Sequence, residues 1–259
     1  FNTPMLFATG VIAMFTIGGL SGVTHAVAPS DTQQTDTYYI VAHFHYVIFG
    51  GALLGMFAGF YFWWPKVFGH KLNEKWGKIN FWLMLIGFNM TFGPMHVLGL
   101  QGMARRHHSY ASEDGFGFWN GIVSAGAFVI ALGTLAFLIN IWISARSAKK
   151  NPVEVGPDPW DARSLEWSTA SPTPVHNFDV DPVVEFQDDW WHRKWGKNED
   201  GKIVRKAYPE DIAQDGSATD VHLPSPSYWP LVLSLSLPVI GYAVIFTFWL
   251  LIPAGALFL

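Results

Sequence analysis

The sequence has no cysteine and little charge, and both shortages narrow the classes of protein to which it can belong. With no cysteine in 259 residues, disulfide bonds, thiolate-bound zinc and iron–sulfur centres are excluded. Charged residues make up only 14% of the chain, against about 25% in a typical soluble domain. The net charge is −4 and no basic face is present, which excludes a nucleic-acid-binding protein.

The few charges are distributed unevenly, and this distribution predicts three regions. Residues 1–145 hold 11 charged residues, residues 146–226 hold 25, and residues 227–259 hold none. We therefore predict membrane-spanning helices in the first region and a polar extramembrane segment in the second. The third region is predicted to be one additional transmembrane helix at the C-terminal side.

Five apolar stretches contain no Lys, Arg, Asp or Glu. They cover roughly residues 4–27, 38–64, 80–100, 116–145 and 229–259. Each is longer than the ~20 residues that a helix needs to cross a ~30 Å hydrocarbon core. Because only helices and closed barrels span membranes, uninterrupted apolar runs of this length predict transmembrane helices. The fold class predicted is an all-α, polytopic transmembrane helix bundle.

The loops predict which ends of the helices face the cytoplasm. Basic residues follow the second and fourth stretches, and cytoplasmic loops are enriched in such residues. They are Lys66, Lys71, Lys75, Lys78, Arg146, Lys149 and Lys150. The polar segment is then cytoplasmic, whereas Arg105 and Arg106 lie on the outer side, against the rule. This adjacent pair indicates an anionic partner rather than a topology signal.

Two histidines in the second apolar stretch are the strongest candidates for chemistry. His43 and His45 are two residues apart, and helical residues advance by about 100° each, so their side chains point about 200° apart. They cannot share one metal, but each can bind a metal group on its own face of the helix. Neutral imidazole suits iron, copper and zinc, and haem iron commonly takes an axial histidine. The alternative interpretation is that both are hydrogen-bonded packing residues.

The depth of these histidines links them to the arginine pair. His43 lies seven residues after Asp36, or about 10 Å along a helix. Haems bound there would raise their propionates to the outer surface, where Arg105 and Arg106 lie. Guanidinium groups form strong charge-assisted hydrogen bonds with carboxylates, which accounts for the arginines on that side.

Several motifs, in order along the chain, resemble one family. They are DTYYIVAHFHY at 36–46, GFNMTF at 87–92, PMH at 94–96, LGL at 98–100, GMARR at 102–106 and DARSLEW at 161–167. Together they resemble the second half of subunit I of the bacterial haem–copper cytochrome c oxidases. The resemblance implies that residues 1–145 supply the last four of twelve core helices.

The resemblance assigns roles to individual residues. It implies that His43 binds the iron of the high-spin haem a3, where oxygen is reduced, and is thus the catalytic ligand. It implies that His45 binds the iron of the low-spin haem a. Arg105 and Arg106 would hold haem propionates, and Asp31 would lie near the propionates of the high-spin haem.

One position departs from the family pattern. Family members usually carry a histidine immediately before the Asp-Thr-Tyr run, where it helps bind magnesium, but this chain has Thr35. The companion ligand Asp36 is present, and magnesium prefers oxygen ligands and water. A magnesium site at Asp36 is therefore the expectation carried over from the family. His25 and the Thr35 hydroxyl are weaker substitutes for the missing ligand.

The resemblance also implies a function and partners. The reaction would be the reduction of O2 to water with electrons from cytochrome c, coupled to proton pumping across the bacterial plasma membrane. The ligands of the copper ion CuB would lie on earlier helices of subunit I, outside this chain. Implied partners are those helices, subunit II with its dicopper centre, subunit III, cytochrome c and the lipid bilayer.

Three alternatives stay open at this point. A quinol oxidase of the same superfamily would use a different electron donor. A non-enzymatic membrane subunit, for packing or assembly, would use both histidines only for contacts and would bind no haem. A two-haem electron carrier would lack an oxygen site and would not bind carbon monoxide.

The polar segment shows no catalytic pattern. Its content of Asp and Pro predicts extended chain with short helices. Tryptophans are expected to anchor it in part; they are Trp160, Trp167, Trp190, Trp191 and Trp195. The charged run at 188–194 is expected to be a solvated surface.

Overall fold

The computed structural model describes residues 1–152, 155–206 and 227–258; its first and last ranges are mostly helical, whereas 155–206 is mostly turns and extended chain. Five helices are long and apolar enough to cross a membrane, which confirms the prediction of a polytopic helical bundle. The helices of the first region are α1 (Thr3–Ala26), α2 (Ala28–Gln34), α3 (Tyr38–Val47), α4 (Leu54–Phe68), α5 (Glu74–Leu100) and α6 (Gly117–Lys150). A π-helical turn, Ile48–Leu53, joins α3 and α4 into one span of 31 residues.

Local capping explains where the spans begin and end. The Thr37 side chain accepts a hydrogen bond from the Tyr39 amide at the start of α3, and the Asn73 side chain accepts one from the Trp76 amide at the start of α5. Gly69, at φ 69°, ends α4 in the left-handed conformation that favours glycine. Helix α5 thus begins six residues before the predicted apolar stretch, because a capped first turn tolerates charged residues.

The helices run alternately up and down, so the bundle has two distinct ends. At one end, which we call the polar-segment end, the Thr3 amide donates to the Glu74 carboxylate at 2.6 Å. The other end contains the last turn of α1, the first turn of α3 and the last turn of α5. We call it the histidine end because His25, His43 and His96 lie there.

Close helix contacts depend on glycine. A Cβ atom on Gly126 of α6 would lie 2.6 Å from the Thr91 backbone nitrogen of α5. Real Cβ atoms do not approach so closely, so only glycine allows α5 and α6 to pack at this distance. Where α4, α5 and α6 meet, the buried Asn140 amide donates to the Tyr61 hydroxyl at 3.2 Å, and Tyr61 donates to Asn80 at 3.2 Å. Each buried polar group here is therefore satisfied by a neighbouring helix.

The polar segment folds against its own end of the bundle. Its elements are a short helix α7 (Asp189–Lys194) and a two-stranded hairpin, β1 (Trp195–Lys197) and β2 (Ile203–Arg205). The short helix agrees with the expectation of extended chain with short helices, whereas the hairpin was not predicted. Trp167 and Trp190 are fully buried, and the Trp160 indole donates to the Phe62 carbonyl at 2.8 Å. The prediction of tryptophan anchors is confirmed for Trp160 and for Trp167, whose ring contacts Phe62 of α4, whereas Trp190 packs inside the segment.

The prediction of a solvated surface at 188–194 is wrong. Asp189, Trp190 and Lys194 are buried, because α7 turns them into the segment's interior. Lys194 contacts the carboxylates of Asp158 and Asp161, which come from a part of the chain more than thirty residues earlier. A charged run is buried here because its charges find partners of opposite sign.

The last described region belongs to a separate compact unit, residues 218–259. It contains α8 (Trp229–Phe246) and α9 (Leu251–Phe258), with a 3₁₀ turn at Phe248–Leu250. The apolar stretch predicted as one helix is thus interrupted. Thr247 has an extended backbone (φ −166°, ψ 124°), which ends α8 after 18 residues.

Candidate functional site

His43 faces α1 and is held there through one ring nitrogen. Its Nδ1 lies 2.9 Å from the Gly18 carbonyl oxygen and 2.9 Å from the Ser21 hydroxyl oxygen. The Ser21 hydroxyl itself donates to the Gly18 carbonyl at 2.8 Å, so the imidazole must be the donor to this pair. This network places the ring proton on Nδ1 and leaves the Nε2 lone pair free for a metal.

A glycine on α1 makes room for this ring. A Cβ atom on Gly22 would lie 2.9 Å from Cε1 of His43. Any larger residue would push the imidazole away from Ser21. Gly18, Ser21 and Gly22 of α1 thus form the surface against which the His43 ring packs, and they position the ring.

His45 faces a different part of the bundle. Its Nδ1 lies 2.7 Å from the Val41 carbonyl oxygen, one turn earlier in α3, and its ring stacks on Phe92 of α5 at 4.1 Å. The ring also borders a largely apolar open groove of about 450 Å³. The groove is lined by Phe44, His45, Ile48, Phe49, Ala52, Leu53 and Met56. A π-helical turn forms much of this lining, and such turns are frequent at functional sites.

The two histidines therefore have separate surroundings, as the 200° separation predicts. His43 contacts α1, whereas His45 contacts α5 and the groove. In each ring Nδ1 is engaged by a carbonyl oxygen, and among the described residues no hydrogen bond occupies Nε2. This chemistry fits haem iron, which takes a neutral imidazole nitrogen beside an apolar space. Each histidine can hold one haem.

Two loop segments, 36–38 and 103–105, pair at the histidine end, and we call this pairing the clasp. The Tyr38 amide donates to the Met103 carbonyl at 2.9 Å, and the Arg105 amide donates to the Asp36 carbonyl at 2.7 Å. Thr37 and Ala104 form the antiparallel bridge between these two hydrogen bonds. Main-chain hydrogen bonds thus fix the arginine loop against the start of the histidine helix.

The clasp places Arg105 beside the histidines. The centre of its guanidinium lies 5.8 Å from the ring of Phe44, the residue between the two histidines. Arg106 follows with a left-handed backbone at φ 64°, as does Asp36 at φ 61°, an uncommon conformation for residues other than glycine. Within the described ranges neither arginine has a carboxylate partner, so both guanidiniums are available to an anionic group.

Among the described residues, neither Asp31 nor Asp36 pairs with a ring nitrogen of His43 or His45. The Asp31 carboxylate accepts a hydrogen bond from the Thr35 hydroxyl at 2.9 Å and lies 3.7 Å from Nδ1 of His25. Asp36 is exposed. In the part of the chain that the structure describes, no cluster of three or more His, Cys, Asp or Glu side chains is arranged for a metal. The magnesium site at Asp36 stays a prediction.

Sequence reasoning missed Ser21 and gave His25 only a minor role. The signal was present in their spacing, because residues four apart lie on one face of a helix. Gly18, Ser21, Gly22 and His25 together form a stripe of small and polar residues along α1. His96 lies within a family motif, and the structure places its ring 4.9 Å from that of Tyr39 and 5.4 Å from that of Tyr46.

Comparison with known proteins identifies the family of the chain. Residues 1–129 match the family model described as Cytochrome C and Quinol oxidase polypeptide I. Cytochrome c oxidase subunit 1 of Alkalihalophilus pseudofirmus is 42% identical over 95% of this chain and 37% of its own length. Quinol oxidase subunit 1 of Bacillus subtilis is also 42% identical, over 95% of this chain and 36% of its own length.

Two further matches complete the comparison. A putative cytochrome c oxidase subunit 1-beta of Streptomyces coelicolor is 52% identical over 72% of this chain and 32% of its own length. A solved haem–copper terminal oxidase dimer is 19% identical, with a TM-score of 0.48, over 55% of this chain and 26% of its own chain. The chain spans about a third of the length of these curated relatives.

The family match covers the histidine helix, the clasp and the arginine pair, and the homologues extend the similarity through the polar segment. Bacterial relatives and five apolar helices make the chain a multi-pass plasma membrane protein. The chain belongs to the cytochrome c and quinol oxidase polypeptide I family of haem–copper oxidases.

Proposed function

We propose that this chain supplies the haem-binding helices of a respiratory terminal oxidase that reduces O2 to water and pumps protons across the membrane. The observation that carries the proposal is the pair of imidazoles on α3. Each has Nδ1 bonded to a carbonyl oxygen, and each faces a different side of the helix. One helix can therefore hold two haems without either sharing the other's ligand.

The residues of this chain set the positions of the cofactors. Donation of an Nδ1 proton to a carbonyl raises the basicity of Nε2 and fixes the orientation of the ring. His43 would hold the high-spin haem a3 iron, and His45 the low-spin haem a iron. When bound, the haems and the copper ion CuB supply electron transfer and oxygen reduction. Phe44 lies between the two ligands in the sequence, and its side chain lines the apolar groove beside His45.

Arg105 and Arg106 would bind the haem propionates. Arg105 is half-buried over Phe44, and a guanidinium in such a position binds carboxylates through paired hydrogen bonds. Asp31 would lie near the propionates of the high-spin haem, and Asp36 would contribute to a magnesium site together with water.

The remaining parts of the oxidase are proposed from the family. The CuB ligands would lie in the earlier helices of subunit I, and subunit II with its dicopper centre would receive electrons from cytochrome c. Subunit III would complete the assembly. In this orientation the histidine end faces outside, and the polar segment lies on the cytoplasmic side.

A quinol oxidase is the second candidate, and one observation favours weighing it. Relatives named cytochrome c oxidase and quinol oxidase are each 42% identical to this chain over 95% of its length. Overall similarity to these relatives does not distinguish the two electron donors. The choice therefore depends on parts of the enzyme outside this chain.

Spectroscopy of the purified, complete oxidase tests the proposal. We expect two haems, one low-spin and one high-spin, with carbon monoxide binding only to the high-spin haem. Oxygen uptake driven by reduced cytochrome c supports the first candidate, whereas uptake driven only by quinol supports the second. Purified protein without haem absorption contradicts the proposal, and two low-spin haems without carbon monoxide binding identify an electron carrier instead.

A further inference from the structure

His25 is the residue of the histidine end that the proposed function leaves without a task. It lies in the last turn of α1, four residues after Ser21. Its ring packs edge-on against the His43 ring at 5.0 Å and against the Tyr39 ring at 5.3 Å. His25 thus covers the imidazole of His43 on the side nearest the loops.

The hydrogen-bonding groups of His25 are unsatisfied. Both ring nitrogens are shielded from solvent, and neither has a hydrogen-bond partner among the residues that the structure describes. Its side chain is only 16% exposed. A neutral imidazole carries one donor and one acceptor, and a buried group without a partner costs about 1–3 kcal/mol. A ligand outside this chain can supply the missing partner.

The nearest acid does not complete it. The Asp31 carboxylate oxygen is 3.7 Å from Nδ1 of His25, too far for a hydrogen bond. The same oxygen already accepts the Thr35 hydroxyl at 2.9 Å. His25 therefore has a free donor beside the proposed haem ligand, at the end of the bundle where Arg105 and Arg106 also lack a carboxylate within the described residues.

We propose that His25 donates a hydrogen bond to a propionate carboxylate of the haem held by His43. The inference rests on the proposed function, because it takes His43 as a haem ligand. Within it, His25 is a positioning residue on the α1 side, and the arginines of the clasp act from the α5 side. The haem carboxylates would then have hydrogen-bond donors on both sides.

The test uses the complete oxidase with haem labelled by ¹³C at its propionates. Redox-induced infrared difference spectra report the carboxylate vibrations, and a titration reports the midpoint potential of the high-spin haem. His25→Leu keeps the volume but removes the donor. We expect it to shift the propionate bands and to lower the high-spin potential, because the charge of the ionised carboxylate is then less well compensated. His25→Gln keeps an N–H donor and should restore the bands largely.

Controls separate the possible failures. His192→Ala changes a histidine of the polar segment and should leave the bands and the potential as in the unchanged oxidase. If His25→Leu binds both haems and its propionate bands do not move, the inference is wrong while the proposed function stands. If His25→Leu does not assemble, His25→Met, which also lacks the donor, replaces it, and propionate bands that do not move in that variant overturn the inference equally. If the wild-type oxidase contains no haem, the proposed function itself is overturned.

Discussion

The two ends of the helical bundle differ in whether their basic side chains find partners within the chain. At the polar-segment end, the buried Lys66 ammonium donates to the carbonyls of Thr169 and Ala170, and the buried Lys194 is paired with two carboxylates. At the histidine end, the ring nitrogens of His25 and the guanidinium of Arg105 have no such partners in the described part of the chain. The buried lysines of one end thus have partners within the chain, although the Trp167 indole N–H beside Lys66 has none among the described residues, whereas the groups at the histidine end are open.

This difference separates polar groups that build structure from polar groups that await a ligand. A buried charge that only stabilises the fold must find its counter-charge within the chain, because an unpaired charge is costly. Open donors around a pair of histidines instead match a cofactor that carries carboxylates and needs imidazole nitrogen. The comparison therefore supports the assignment of the histidine end as the cofactor site, and it can be tested at both ends.

The largest effect is expected from the histidines. His43→Ala in the complete oxidase should abolish the high-spin signal and carbon monoxide binding, while the low-spin band stays. His45→Ala should remove the low-spin band, because its imidazole faces the other side of α3. Optical spectra with and without carbon monoxide measure both effects. Equal losses of both bands in each variant would contradict the separation of the two faces.

At the polar-segment end, substitution of the buried Lys194 is expected to affect stability alone. Lys194→Met leaves Asp158 buried without its counter-charge, and breaking a buried pair from one side costs about 3–5 kcal/mol. We expect the polar segment to be cleaved by protease at lower temperature, with haem spectra unchanged. Lys197→Met, at an exposed position of β1, is the matched control and should behave as wild type. Haem loss in Lys194→Met alone would erase the distinction between the two ends.

A smaller effect is expected from the open guanidinium. Arg105→Ala should lower the midpoint potential of the low-spin haem. The positive charge of Arg105 near the propionates stabilises the reduced haem, and the variant lacks that charge. A spectroelectrochemical titration measures the shift. Arg146→Ala is the control. It removes an arginine that stacks on Trp142 near the C-terminal end of α6, and it should leave the potential unchanged. An unchanged potential in Arg105→Ala would count against propionate binding.

The smallest effect concerns the pH dependence of the polar segment. Burial alone would raise the pKa of Asp161, but the hydrogen bond and charge of Lys194 outweigh it and hold the pKa below its usual value of 3.8. A lowered pKa stabilises the fold above pH 3.8, and this stabilisation is lost as the pH falls through the folded-state pKa. Asp161→Asn should therefore be slightly less stable than wild type at neutral pH. Protease protection measured against pH should show the difference shrinking in acid, and a constant difference would refute the pairing.

Much of the fold followed from the sequence, because lipid allows few solutions. Uncharged runs located four of the spans, and the advance of 100° per residue placed His43 and His45 on separate faces. The break at Thr247 was not predicted, since its neighbours are all apolar and hydropathy does not report backbone conformation. The burial of Lys194 was not predictable either, because its partners come from a distant part of the chain.

The candidate site was predicted only in part for a similar reason. A histidine inside an apolar run stands out, whereas His25 lies near the end of a helix and resembles an ordinary interfacial residue. Its importance arises from the contact between α1 and α3, which sets its ring against His43. The surface that Ser21 and Gly22 form for the His43 ring likewise exists only once α1 and α3 are packed.

The clasp has a consequence for how such a chain can change over evolution. Its register is set by amides and carbonyls of 36–38 and 103–105, so side chains such as Ala104 can vary without displacing the arginines. Adding or deleting a single residue between Gly102 and Arg105 is different, because side chains alternate across a paired strand and every following one would change sides. Loop length here is therefore constrained more tightly than loop composition.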